Sequence, residues 1–100
     1  MTLTIQKIKE AKERISPYVV QTPLLRLHNL DACLGCEVYA KAECMQTTGS
    51  FKLRGAMNKM LSLSEEELGR GIIAVSSGNH GKGVAYASKM LGVKATIVLP

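Results

Sequence analysis

Two short apolar runs, Ile72–Val75 and Ala95–Leu99, flank a glycine-rich turn and a single helix-patterned segment. Val84, Ala87, Ser88 and Leu91 fall on one face of that segment, and Gly92 supplies its C-terminal stop. Strand, crossover helix and strand within about 30 residues imply a right-handed parallel unit. Continuous apolar runs of this kind read as buried strands, which need neighbours on both sides. The fold class expected from this stretch is therefore α/β.

The preceding residues extend the pattern. Thr4 can cap a helix carrying Ile5, Ile8, Ala11 and Ile15 on one face, which Pro17 ends at Ser16. Val19–Leu27, interrupted by Pro23, suits an edge strand or extended arm. Asn29–Leu34 suits one helical turn closed by Gly35, and Glu37–Glu43 reads as a strand. After the polar loop Thr47–Ser50, with Ser50 as a good N-cap, Leu53, Ala56, Met57, Met60 and Leu61 recur at helical spacing. Ser64 with Glu67 matches a capping box, and Gly69 or Gly71 would stop that short helix. The character of the chain changes near Thr47, so residues 1–46 are expected to form an N-terminal arm and residues 47–100 an α/β unit. Because Pro100 follows directly on an apolar run, the 100 residues are expected to be a fragment.

Thirteen Lys and Arg against eight Asp and Glu give a formal charge of +5, compatible with an anionic ligand. The basic residues are scattered rather than clustered, and aromatics are few, which argues against nucleic-acid binding. No apolar run approaches the roughly 20 residues of a membrane-spanning helix, and residues 1–9 do not read as a signal peptide. An odd number of cysteines with no sign of secretion suggests free thiols and a cytoplasmic location.

The turn Ser76-Ser77-Gly78-Asn79-His80-Gly81-Lys82-Gly83 lies where a parallel α/β fold exposes backbone N–H groups to ligands. It is not a P-loop, since no Ser or Thr follows Gly81-Lys82, nor is it the dinucleotide fingerprint. By itself it is equally compatible with an ordinary strand-to-helix turn. Lys52 stands in the first turn of its helix beside Phe51. Helix dipole and apolar neighbour both disfavour a cation there, and Schiff-base chemistry starts from a neutral amine. A lysine at such a position is nonetheless usually a solvated charge, as is Arg54.

Together, Thr48-Gly49-Ser50-Phe51-Lys52-Leu53-Arg54-Gly55-Ala56 and Ser76-Ser77-Gly78-Asn79-His80-Gly81 resemble the two N-terminal signatures of serine/threonine dehydratases and serine racemase. These belong to the tryptophan-synthase-like class (fold type II) of pyridoxal-phosphate enzymes. Thr22-Pro23-Leu24 and Lys41-Ala42-Glu43 extend the likeness over most of the chain. The resemblance implies part of a two-domain enzyme with open twisted sheets, in which residues 1–46 join the larger domain and residues 47–100 begin the smaller one. It implies that Lys52 holds pyridoxal 5'-phosphate and removes the Cα proton, that Phe51 packs on the cofactor, and that Asn79 bonds the ring's phenolic oxygen. Ser76, Ser77, Gly78, Asn79 and His80 would bind the substrate carboxylate, partly through backbone N–H groups. The loop that cradles the phosphate and the partner of the pyridine nitrogen are expected beyond Pro100, so residues 1–100 alone should bind cofactor poorly.

The activity so implied is ammonia elimination from L-threonine or L-serine, yielding a 2-oxo acid, by a homo-oligomer when full length. Racemisation stays open, because the family's racemases use a serine at the position of Ser77 to reprotonate Cα from the face opposite Lys52, where many threonine dehydratases carry alanine. Dehydration of 3-hydroxyaspartate and a catalytically inactive ligand-binding relative are the other readings. Cys33-Leu34-Gly35-Cys36, with His28 and Cys44 nearby, lacks regular zinc spacing and a thioredoxin-like context, so no metal is expected and the thiols read as buried or idle. Met45, Met57, Met60 and Met90 read as core filler. The acidic run Glu65-Glu66-Glu67 suits the first turn of a helix.

Overall fold

A computed structural model describes residues 2–100. Helix α1 (Ile5–Ile15) starts at Thr4, whose hydroxyl accepts from the Lys7 amide at 3.3 Å. Strand β1 (Leu24–Arg26) pairs antiparallel with β2 (Tyr39–Lys41), and helix α2 (His28–Leu34) links them. Gly35 ends α2 at φ 66°, a left-handed conformation that costs glycine little. A 3-10 turn, Glu43–Met45, leads through the polar loop to α3 (Lys52–Leu61) and α4 (Glu65–Arg70). Strand β3 (Ile72–Val75), helix α5 (Asn79–Leu91) and strand β4 (Ala95–Val98) then form the expected parallel unit, with Ile72 opposite Ala95 and Val75 opposite Val98.

One core unites these elements. Leu53 and Met57 of α3 are fully buried, and Ala56, Met60, Ala74, Val84, Ala87 and Ile15 pack with them. The α3 spacing puts its apolar face onto α5, while Ile15 carries the end of α1 onto the same cluster. At the other end of α1, Ile5 and Ile8 are exposed, so only its last turn is held by burial.

Several expectations change. The arm forms a strand only over Leu24–Arg26, and β2 stops at Lys41 because Glu43 opens the 3-10 turn. The runs at β3 and β4 were expected to be buried on both faces. Instead Ala74 is buried while Ile73 and Val75 are 76% and 74% exposed. Helix α5 packs on one face of this two-stranded sheet, with α3 against α5, and among the described residues the face carrying Ile73 and Val75 is left exposed. Ser50 does not occupy the N-cap of α3; Phe51 does, and the Ser50 hydroxyl accepts from the Lys52 amide at a long 3.4 Å. Met57 and Met60 fill the core as expected, but Met45 and Met90 are exposed. All three cysteines are exposed rather than buried.

The N-terminal region is tied to α3 by polar groups as well as by Ile15. The buried Gln46 side chain pairs with both backbone groups of Val20, accepting from its N–H at 2.8 Å and donating to its carbonyl at 3.0 Å. The same amide donates to Glu43 at 3.2 Å, and the Arg54 guanidinium donates both to Glu43 and to the Val20 carbonyl. Burial pushes the Glu43 carboxyl up, but hydrogen bonds from Arg54 and Gln46, with the nearby charges of Arg54 and Lys41, outweigh it and hold the group below the usual carboxylate range.

The capping box forms as expected: the Ser64 hydroxyl accepts from the Glu67 amide at 3.2 Å and the Glu67 carboxylate accepts from the Ser64 amide at 2.8 Å. Ser64→Ala should cost about 1 kcal/mol of stability, read as a lower urea midpoint. Bonds from the Ser64 backbone and then its hydroxyl hold the Glu67 carboxyl below its ordinary value. A carboxyl lowered by folding stabilises above its unfolded pKa, and this contribution fades as pH falls through the folded one. The Ser64→Ala deficit should accordingly shrink on acidification.

Candidate active site

Local structure places the two motif segments against each other. Lys52 is the first residue of α3, where the helix emerges from the loop closed by Gly49 at φ 79°. Its side chain is exposed, and Nζ stands 5.1 Å from the centroid of the Phe51 ring. The ring thus meets the amine with its π-face, an attractive contact for a cation, rather than acting as a simple apolar shield.

The glycine turn continues β3 by one residue, since the Ser76 amide donates to the Val98 carbonyl at 3.1 Å. The Gly78 amide then donates to the Ser76 hydroxyl at 3.2 Å, folding the chain back so that α5 starts at Asn79. The amides of Asn79, His80 and Gly81 open the helix and have no carbonyl behind them within it. A Cβ added at Gly78 would meet nothing within 4 Å, and Asn79 and His80 are exposed, while Gly81 is buried. The helix dipole adds partial positive charge at the same end. The arrangement suits a small anion.

Two further glycines decide how closely the turn approaches Lys52. A Cβ at Gly81 would lie 2.8 Å from the Ser76 carbonyl oxygen, so the turn closes this tightly only with glycine there. A Cβ at Gly83 would lie 3.1 Å from the carbonyl carbon and oxygen of Lys52 and 3.2 Å from the Leu53 amide nitrogen. The first turn of α3 therefore meets α5 backbone to backbone at Gly83, one turn in from its start. The composition of the turn names Gly83; its partner, Lys52, becomes visible only in the folded chain.

Of the residues expected at the site, Phe51, Lys52 and His80 line one cleft of about 540 Å³, whose walls also include Ala56, Met60 and Val84. Ser76, Ser77, Gly78 and Asn79 do not line it; they form the turn that leads into His80. Sequence reasoning also missed the Arg54, Glu43 and Gln46 network. The spacing of Glu43 and Gln46 around a short turn is a faint signal, and nothing in the sequence links either to Val20. The described residues contain no group of three or more His, Cys, Asp or Glu placed to hold a metal, and none of their helices is long and apolar enough to cross a membrane.

Comparison with known proteins agrees with this geometry. The family described as "Pyridoxal-phosphate dependent enzyme" matches residues 15–100. Serine racemase of Dictyostelium discoideum is 48% identical over 99 residues, covering 99% of this chain and 31% of that protein. L-threonine ammonia-lyase of Thermotoga maritima is 48% identical over 98% of this chain and 24% of its own length. The crystal structure of the Dictyostelium discoideum racemase superposes on the whole chain with a TM-score of 0.92, using 33% of its own chain. The present chain thus spans about a third or less of the proteins it matches. By the match over residues 15–100, the identity to these relatives and the superposition over the whole chain, the chain belongs to the pyridoxal-phosphate dependent enzyme family, in its group of serine racemases and threonine dehydratases.

Proposed function

We propose that the full-length protein eliminates ammonia from L-threonine or L-serine, with Lys52 holding pyridoxal 5'-phosphate. One observation carries the reading: Lys52 and His80, from the starts of α3 and α5, line one cleft, and the Gly83 backbone one turn further into α5 lies against the Lys52 carbonyl. The residues present fit the cofactor and an amino acid together. A primary amine leaves α3 at a cleft with apolar walls and an aromatic ring, suited to an aldehyde on a flat heterocycle. The α5 amides and the open space over Gly78 suit a carboxylate.

When bound, pyridoxal phosphate draws electrons from the substrate Cα and so makes its proton acidic. The Lys52 Nζ would accept that proton, a hydroxyl on the neighbouring carbon would depart as water, and a water adding back to the resulting C=N bond would release a 2-oxo acid and ammonia. Ser76, Ser77, Gly78, Asn79 and His80 would fix the carboxylate, Ser77 through its backbone N–H, and so orient Cα for proton transfer. Asn79 would hold the ring oxygen of the cofactor, and Phe51 would pack against its ring. The direct test is oxo-acid release by the full-length protein with L-serine, L-threonine and 3-hydroxyaspartate. No release from any of them would remove the lyase reading.

Ser77 favours a second reading, amino-acid racemisation, since its hydroxyl offers a proton donor besides Lys52. Several relatives bear the name serine racemase, in line with this. Ser77→Ala should reduce racemisation at least about 100-fold while sparing elimination. Chiral chromatography of the product beside an oxo-acid assay separates the two; racemisation that survives unchanged rules out Ser77 as the donor.

A further inference from the structure

We infer that Arg54 is a positioning residue for Lys52, acting through Glu43 and Gln46. The inference rests on the proposed role of Lys52 and adds a device that sets its direction. Arg54 sits two residues after Lys52 on the first turn of α3, so whatever fixes its side chain also fixes the rotation of that turn. Three segments converge on this guanidinium. Glu43, from the 3-10 turn before the loop, accepts from its Nε. The Val20 carbonyl, from the arm after α1, accepts from its terminal nitrogen at 3.2 Å. Gln46 locks these two together, donating to Glu43 at 3.2 Å and to the same Val20 carbonyl at 3.0 Å.

The arrangement is directional. A guanidinium holds two acceptors in a fixed fork, which an ammonium cannot reproduce. Gln46 is buried and its oxygen also accepts from the Thr47 amide at 3.1 Å, so the loop leaving this cluster starts in one conformation. That loop delivers Lys52. On the other side the Gly83 backbone blocks movement of the same turn. The start of α3 is thus gripped from two sides, by polar groups on one and by a backbone contact on the other, leaving the Lys52 side chain to project from a turn that cannot rotate.

The test measures Lys52 itself. Full-length apo-protein is mixed with pyridoxal phosphate, quenched with borohydride at intervals, and the modified lysines are located by mass spectrometry. The wild type should label Lys52 much faster than the exposed Lys9. In Arg54→Lys and in Glu43→Gln the rate at Lys52 should fall about 100-fold, the scale of a misplacement near 1 Å, with Lys9 unchanged. The double variant should be no slower than either single one, because both break one unit. Because unfolding would also bring Lys52 down to the Lys9 rate, urea unfolding is read beside the labelling: a variant that labels Lys52 at the parent rate overturns the inference, and so does a loss confined to variants that unfold under the labelling conditions. A wild type that does not prefer Lys52 refutes instead the proposed function on which this rests.

Discussion

Lys52→Ala in the full-length protein is expected to lower oxo-acid release about 10⁴-fold, the upper range for removing a positioned proton-transfer group. Borohydride should fix no cofactor on the variant. The amine leaves the first turn of α3 beside the Phe51 ring, and its backbone lies against Gly83, one turn into the helix whose amides suit a carboxylate. Lys59 also lines the cleft, but further along α3, away from the Gly83 crossing. The variant should fold normally, because the Lys52 side chain is exposed and lies outside the core cluster. Retained turnover in a protein with an unchanged unfolding curve would move the chemistry to another residue.

Gly83→Ala should act on stability and activity together. Within an exposed helix, glycine-to-alanine normally gains about 0.5–1 kcal/mol, because alanine loses less conformational entropy. Gly69 is such a position, with nothing within 4 Å of an added Cβ and a backbone free of positive φ. Gly69→Ala should therefore stabilise. At Gly83 the added carbon meets three main-chain atoms of Lys52 and Leu53 at 3.1–3.2 Å, none of which can turn aside as a side chain could. Overpacking of this kind costs about 1–3 kcal/mol, more than the propensity gain. The remaining strain pushes the two helix starts apart, and a displacement near 1 Å should lower turnover about 100-fold. Urea denaturation of both glycine variants beside the oxo-acid assay reads the contrast. A Gly83→Ala protein as stable and active as the parent would mean that the two helices do not cross this closely.

The sequence pattern carried the order of elements well because each signal was local. Thr4, the pair Ser64 and Glu67, and Gly35 and Gly92 each satisfy or terminate helix ends within a few residues. It failed where the answer depended on something distant. Apolar Ile73 and Val75 read as buried, yet burial requires a partner on their face of the sheet, and composition does not say whether one is there. Met45 and Met90 were misplaced for a similar reason: apolarity does not tell which side of a turn or helix meets the core. Ser50 lost the cap because the chain turns helical one residue later, at Phe51. At the site, Lys52 and the glycine turn stood out through residue type and motif resemblance, whereas Gln46 and Arg54 look like ordinary surface polar residues until the fold brings Val20 to them.

The crossing at Gly83 also bears on how such a protein could diversify. The contact at the crossing itself is between main-chain atoms, so exchanging an exposed side chain of the turn, such as that of Ser77, leaves it intact. Ser77, exposed and outside the crossing, can then be exchanged without disturbing the frame on which it is mounted. Chemistry and scaffold are in this sense separately adjustable, and the joint that separates them is a single missing methyl group.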